Sequence, residues 1–300
     1  MKLDVMVARE VILAAALVCC GTTCATDQPA ERLSVEPQVA FASEGVSQDE
    51  FGISHGTPDV ANRYRSVVSV SNGKGTCSGV LAAPRLVLSA AHCFCLPHDE
   101  KQTMINGSNC AKGAAVSSYF YRRAEGVWVP SKDVTVGRVI VNESFRSEIG
   151  RIGGRMLIKS KVADLAAIHL ERELANTAVE DRLGGEVSLK EELTLVGYGV
   201  TSPDGIDSGT RRFGRNIVTE LRLADDGNGQ EIRFRFPGAH THSGDSGGPC
   251  FREQGAERWL VGINGGYVSQ GRMESWFTSI ASHQEWIQKQ IESARKSEAP

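Results

Sequence analysis

The sequence predicts an all-β protein that ends in one helix. Short apolar runs recur along the chain, and turn residues such as Asn72 and Gly73 separate them. Some runs are rich in valine and leucine, and others alternate apolar with polar residues, which is typical of strands. The runs are Ser66–Ser71, Val80–Ser89, Asn216–Leu223 and Glu231–Phe236. Near the C-terminus, Ser282 and Glu285 form a predicted capping box for a helix with Trp286, Ile287 and Ile291 on one face.

Composition and charge exclude several classes of protein. The 300 residues are 41% hydrophobic and 23% charged, which suits one large or two modest cores. A net charge of −3 argues against nucleic acid or a membrane surface as the partner. No apolar run reaches the roughly 18 residues of a membrane span. The histidines lack HExxH spacing and the cysteines lack paired CxxC spacing, so we expect no metal and no cofactor.

The first 52 residues have the composition of a signal peptide followed by a pro-segment or linker. Lys2 and Arg9 precede an apolar run at 11–18, and small residues follow through Ala25, so residues 1–25 resemble a signal peptide. This predicts a secreted or periplasmic protein. A lipid anchor at Cys19 or Cys20 is the alternative, although the residue before the acylated cysteine should be small. Residues 26–52 are acidic and lack hydrophobic periodicity, which predicts a flexible pro-segment or linker.

The strongest chemical signal is a serine set among glycines, in Gly244-Asp245-Ser246-Gly247-Gly248-Pro249. Glycine tolerates backbone angles that other residues avoid, so this string predicts a loop that presents the Ser246 hydroxyl. A serine hydroxyl becomes a good nucleophile only when a base removes its proton. The N–H groups of Gly244 and Ser246 could converge as an oxyanion hole, where one donor contributes about 3–4 kcal/mol.

The string resembles the active-site loop of trypsin-like (chymotrypsin-fold) serine endopeptidases, and the chain resembles a bacterial-type secreted member. Leu88–Cys93 is similar to the segment of the catalytic histidine, here His92, and Lys161–Leu170 is similar to the aspartate segment, here Asp164. The resemblance covers residues 53–292. It implies two packed six-stranded antiparallel Greek-key β-barrels, at about 53–171 and 190–281. It also implies a helix at 283–293 that packs on the second barrel.

The resemblance also assigns roles. Ser246 attacks the peptide carbonyl, His92 takes its proton, and Asp164 orients the imidazole. Asp133 is a rival for the aspartate, but the residues after it lack the apolar run and following strand.

Cysteines at family positions predict disulfides. Cys77 and Cys93 match the disulfide behind the histidine, and Cys95 and Cys110 could form a second. Cys250 has no obvious mate, so we expect a buried free thiol.

Ile53-Ser54-His55-Gly56 partly resembles the new N-terminus of activated relatives. A buried Asp245 needs a partner, and cleavage before Ile53 would supply an α-amino group. We therefore expect a zymogen in which this ion pair orders the oxyanion loop. The pair would raise the pKa of the Ile53 amine in the folded state, so its stabilisation would be lost at alkaline pH.

The resemblance implies that six residues of this chain line the substrate pocket: His240, Thr241, Ser243, Asn264, Gly265 and Gly266. Trypsin has an aspartate where this chain has His240, so we do not expect cleavage after lysine or arginine. His240 either favours a polar or acidic substrate side chain or has no selective role. His242 stands where many relatives carry a half-cystine. Gly265 stands near a serine that helps to hold the aspartate in many relatives.

The function predicted is a monomeric secreted endopeptidase that forms an acyl-enzyme on Ser246. Its partners are a protein or peptide substrate and an activating protease. Residues 142–160, which carry several basic residues, form either a solvated loop or a basic rim near the cleft. A catalytically silent protein-binding homologue is the alternative. An esterase of the α/β-hydrolase type would need alternating strands and helices, which the sequence lacks.

Overall fold

The computed structural model describes residue 53 and the ranges 56–73, 75–98, 101–152, 155–199, 209–224, 227, 229–235, 237–268 and 274–296. The predicted signal peptide, the pro-segment at 26–52 and the alternative anchors at Cys19 and Cys20 lie outside these residues. Most of the described chain is strand, and the helix follows at its end.

Sixteen strands are present in the described residues. In chain order they are β1 Thr57–Pro58, β2 Val67–Ser71, β3 Thr76–Ala83, β4 Leu86–Ser89, β5 Met104–Asn106, β6 Gly113–Ala124, β7 Val127–Val141, β8 Arg146–Ile152, β9 Arg155–Val162, β10 Ala166–Leu170, β11 Glu192–Gly197, β12 Arg212–Leu223, β13 Gln230–Arg235, β14 Pro249–Gln254, β15 Glu257–Val268 and β16 Glu274–Ser279.

The first barrel closes in the order β10-β4-β3-β2-β6-β7, with antiparallel neighbours throughout. The strands β3, β4 and β10 are buried on both faces along most of their length, which explains why their sequences read as continuous apolar runs. Leu81 and Val87 pair across β3 and β4 and fill the barrel interior. Their neighbours Val80 and Leu88 also pair, but they face outward into a second core.

The second barrel forms from the C-terminal strands in the order β12-β11-β14-β15-β16-β13, and pairing of β12 with β13 closes it. The short strand β1 adds to the edge of β12. Leu195, Ile232 and Phe277 are buried in its interior, together with Ile53. The all-β prediction of two six-stranded antiparallel barrels with a C-terminal helix is therefore confirmed.

Residues 142–160 differ from the predicted solvated loop. They contain the hairpin of β8 and β9, which continues a separate three-stranded sheet with β5. Lys159 pairs with Glu148 across this hairpin at 3.0 Å, and the Lys159 side chain is 59% exposed. The hairpin is positioned by its register with β5, and β9 leads directly into the segment of Asp164.

A core between the barrels includes the C-terminal helix α1, Gln284–Lys296. Its buried residues Ile287, Ile291 and Ala294 join apolar side chains from both barrels. The helix also contacts β3 and β4 of the first barrel. The prediction that it packs on the second barrel therefore described only part of its contacts. The predicted capping box does not form, because Ser282 lies inside the 3-10 turn Ala281–His283 that leads into α1. Its hydroxyl accepts a hydrogen bond from the Gln230 N–H.

One buried ion pair joins the segment between β1 and β2 to the residue that precedes β12. The Arg211 guanidinium bonds Asp59 at 2.7 Å, and both side chains are almost fully buried. Arg211 also donates to the Tyr198 hydroxyl and to the Tyr119 carbonyl. Asp59 in turn accepts the backbone N–H of Tyr64. These bonds satisfy most of the polar atoms that the fold buries here.

Candidate active site

The loop around Ser246 is shaped by two glycines with left-handed backbone angles, Gly244 at φ 94° and Gly247 at φ 81°. A Cβ on Gly247 would lie 2.2 Å from the Ser89 Oγ and 2.4 Å from the Ser78 carbonyl oxygen. No side chain fits there, so only glycine lets the loop lie against the ends of β3 and β4. The end of β4 leads into the turn that carries His92.

Ser246 lies beside this turn. Its carbonyl oxygen accepts the N–H of Ser78 at 2.7 Å and lies 3.8 Å from the sulfur of Cys93. Cys93 forms a disulfide with Cys77, so the Ser246 loop packs against the covalent link between β3 and the histidine turn. Among the described residues, no hydrogen bond joins the Ser246 Oγ to the His92 Nε2. Such catalytic bonds are often long when no substrate is bound.

His92 and Asp164 form a close pair. His92 lies in a 3-10 turn, Ala91–Cys93, and Asp164 precedes β10. One Asp164 oxygen lies 2.7 Å from the His92 Nδ1, and the other accepts the His92 backbone N–H at 2.8 Å. A proton on Nδ1 then leaves Nε2 free to act as a base. The rival Asp133 instead pairs with Arg172 on the surface, at 2.7 Å.

The charges of this pair depend on burial and on a lysine that the sequence analysis missed. The Nζ of Lys161 lies 3.2 Å from the Asp164 Oδ2. Burial alone would raise the pKa of Asp164, but His92 and Lys161 together hold it well below its usual range. Burial lowers the pKa of His92, and Lys161 lowers it further, whereas Asp164 opposes both. The sequence shows a lysine three residues before the aspartate, but nothing local to it indicates that the lysine is buried.

The predicted oxyanion-hole groups are held in place but have no partner in the described structure. Neither the N–H of Gly244 nor that of Ser246 donates to a described residue. The Gly244 carbonyl accepts the Ser78 hydroxyl at 2.9 Å, which fixes the first peptide of the loop. Two such N–H groups can stabilise a developing oxyanion.

Asp245 is fully buried behind the loop. Its carboxylate accepts the N–H of Gly199 at 2.7 Å and that of His242 at 2.9 Å. Burial raises its pKa to about 7, although these two bonds and the charge of Arg212 oppose the shift. The Ile53 side chain is also buried, in the core of the second barrel. The structure gives no contact between the Ile53 nitrogen and Asp245, and in this uncleaved chain that nitrogen belongs to a peptide bond.

Three of the predicted pocket residues, Thr241, Asn264 and Gly266, are joined by hydrogen bonds. The Asn264 Oδ1 accepts the N–H of Gly266 at 2.9 Å and the Thr241 hydroxyl at 3.4 Å. Thr241 also bonds the hydroxyl of Ser275, at 3.0 Å, which the sequence analysis did not include. His240 is buried and Ser243 is half-buried. Among these residues, the Gly265 carbonyl oxygen accepts a hydrogen bond from the Lys161 Nζ at 2.6 Å.

A ring stack lies where many relatives have a half-cystine. The rings of His242 and Tyr267 stack with centroids 5.0 Å apart and link the loop to the end of β15. Cys250 is the free cysteine of the described residues, and burial raises its thiol pKa well above the usual value. The Cys95–Cys110 disulfide forms alongside Cys77–Cys93.

Neither a metal cluster nor a membrane helix occurs in the described ranges. No group of three or more His, Cys, Asp or Glu side chains there could hold a metal ion. No described helix combines the length and apolar character that crossing a membrane requires.

Comparison with known proteins places this arrangement in a family. Residues 53–287 match the family model described as Trypsin. The chain belongs to the trypsin family. It is 25% identical over 244 residues to CLIP domain-containing serine protease B14 of Anopheles gambiae, and the match covers 72% of this chain and 64% of that protein. Because this relative is an insect protein, it does not support the expected bacterial type.

Solved structures show the same fold at low identity. Human heparin binding protein is 20% identical, with a TM-score of 0.51, and the match covers 78% of this chain and 94% of that one. Its [R23S,F25E] variant gives a TM-score of 0.53 with the same coverage. At this identity the likeness concerns the fold alone.

Proposed function

We propose that this trypsin-family chain is a serine endopeptidase that uses Ser246, His92 and Asp164. The observation that supports this most is the pair of hydrogen bonds that the Asp164 carboxylate accepts from His92, at 2.7 and 2.8 Å, beside the loop that presents Ser246. A buried carboxylate that fixes one histidine nitrogen leaves the other facing outward as a general base. The substrate class is protein or peptide, in line with the family.

The reaction follows from these groups. The Ser246 Oγ attacks the carbonyl carbon of the substrate while the His92 Nε2 takes its proton. The N–H groups of Gly244 and Ser246 bind the resulting oxyanion. When the tetrahedral intermediate collapses, the C–N bond breaks and His92 gives the proton to the leaving amine. Water, activated by His92, then attacks the acyl-enzyme and releases Ser246.

Activation by cleavage before Ile53 is part of the proposal. Asp245 is a buried carboxylate with a pKa of about 7, so the uncleaved chain stabilises its charge poorly. A free α-amino group on Ile53 would supply the missing cation. The proposed enzyme is secreted as a precursor, because residues 1–25 resemble a signal peptide and residues 26–52 a pro-segment.

A fluorophosphonate probe tests the chemistry, because it reacts with an activated serine. The protein is labelled before and after cleavage at the Gly52–Ile53 bond, with Ser246→Ala as the control. We expect labelling of Ser246 after cleavage and little before it. Labelling in both forms would support the enzyme and contradict the zymogen step. Absence of labelling in both forms would instead favour a catalytically silent binding protein.

A further inference from the structure

Lys161 is a buried cation next to the candidate catalytic pair. Its side chain is 4% exposed, and burying an ammonium is costly unless it is paired. Its Nζ donates to the carbonyl oxygen of Gly265 at 2.6 Å and lies 3.2 Å from the Asp164 Oδ2. The ring of Trp276 lies 5.8 Å away. The ammonium is therefore held by a carboxylate, a carbonyl and an aromatic face.

At Gly265 the chain lacks the side chain that many relatives place beside the catalytic aspartate. Many relatives have a serine near this position, and its hydroxyl helps to hold the aspartate. A Cβ on Gly265 would lie 3.6 Å from the Asp164 Oδ2 but only 2.6 Å from the Trp276 Nε1. The indole thus occupies the space that a serine side chain would need. Lys161 reaches the same carboxylate oxygen from β9.

We propose that Lys161 is a positioning residue for the proposed reaction, binding the Asp164 Oδ2 in place of the missing serine. The inference rests on the proposed function, because it concerns how Asp164 supports His92. Asp164 uses this same oxygen to accept the His92 Nδ1–H. A cation that shares the oxygen weakens the ability of the carboxylate to stabilise imidazolium. His92 then stays neutral, and able to act as a base, at lower pH than it would with a hydroxyl partner.

The charged groups around the pair are few. Burial lowers the pKa of Lys161, and the charges of Asp164 and, from β13, Glu231 oppose this shift without overcoming it. Partial burial lowers the pKa of His92, Asp164 raises it, and Lys161 lowers it; the His92 side chain is 18% exposed. Removing the Lys161 charge therefore removes a cation from the surroundings of His92 and raises the pKa of its imidazole.

The test is the pH dependence of fluorophosphonate labelling of the cleaved protein. Lys161→Met removes the charge and keeps an unbranched side chain, whereas Lys161→Gln removes it and keeps a hydrogen-bond donor. We expect the acidic limb to move up by about one pH unit in both variants, and labelling below the limb to fall about tenfold. Lys159→Met, which removes an exposed lysine from the same strand, should leave the profile unchanged.

A second measurement does not depend on activity. An NMR titration of the His92 imidazole, assigned with His92→Ala, should show a higher pKa in Lys161→Gln than in the wild type. An unchanged acidic limb and an unchanged imidazole pKa in Lys161→Gln would overturn the inference. Absence of labelling in wild type would contradict only the proposed function, since the titration still tests Lys161.

Discussion

At the scale of single residues, burial of Asp245 disfavours its charged form, whereas two hydrogen bonds favour it. It is buried, it binds two backbone N–H groups, and its pKa is raised to about 7. A carboxyl with a raised pKa in the folded state binds its proton more tightly than in the unfolded state. Its stabilising contribution is therefore complete below pH 4, the unfolded value, and is lost as pH rises through about 7. The uncleaved chain should become less stable over this window.

Asp245→Asn tests this conflict in the uncleaved chain. Asparagine cannot ionise, so the variant should escape the loss of about 4 kcal/mol that a three-unit shift implies between pH 4 and pH 8. Urea unfolding at both pH values measures the difference. In the proposed cleaved enzyme the same substitution should abolish labelling of Ser246, because the Ile53 amine would lose its partner. Equal pH dependence in the two uncleaved proteins would show that Asp245 is not the responsible group.

At the scale of elements, the two disulfides link similar lengths of chain but border different structures. Cys77–Cys93 and Cys95–Cys110 span 16 and 15 residues. The first joins β3 to the turn of His92, and the Cys93 sulfur lies 3.8 Å from the carbonyl oxygen of Ser246. The second closes the loop of residues 95–110, where its cysteines pair as an isolated bridge, and its sulfurs have no described contact with Ser246.

Removing each disulfide should separate stability from activity. Replacing both cysteines of either pair by serine should cost about 3 kcal/mol, since the closed loops are nearly equal in length. Only loss of Cys77–Cys93 should also slow labelling of Ser246, by tenfold or more, on the order expected for a small displacement of reacting groups. Thermal unfolding and labelling rate are measured on the same samples. Equal slowing in both variants would contradict this assignment.

At the scale of the whole molecule, the barrels are joined by an apolar interface and by buried polar contacts. The interface core contains residues of both barrels and the inner face of α1. Arg211, which is fully buried, bonds Asp59, Tyr198 and the Tyr119 carbonyl. These partners belong to both halves of the described chain, so one guanidinium stabilises their mutual position.

Asp59→Asn should therefore be strongly destabilising. It leaves Arg211 charged and buried with no counter-ion, a change that typically costs about 3–5 kcal/mol. Glu257→Gln is the matched control, because it breaks an equally short ion pair with Arg182 in which both side chains are more than half exposed. That change should cost at most about 1 kcal/mol. Similar urea midpoints for the two variants would refute the role given to the buried pair.

Local sequence patterns predicted many of the strands and the loop around Ser246. Period-2 alternation and turn residues predicted the strands, and the glycines around Ser246 predicted a loop with unusual backbone angles. These signals are readable because each depends on the backbone preferences of a few neighbouring residues. The all-β fold with two barrels followed from motifs that resemble a known family.

Contacts between distant residues were decided only by the tertiary structure. Lys161 and Gly265 are 104 residues apart, and Asp59 and Arg211 are 152 apart. In the sequence, a lysine that will be buried beside a carboxylate is indistinguishable from one that will be solvated, because burial depends on strands that arrive later. The same holds for α1, whose apolar face was readable but whose position against β3 and β4 was not. These contacts form because closure of the barrels brings strands that are remote in the sequence together.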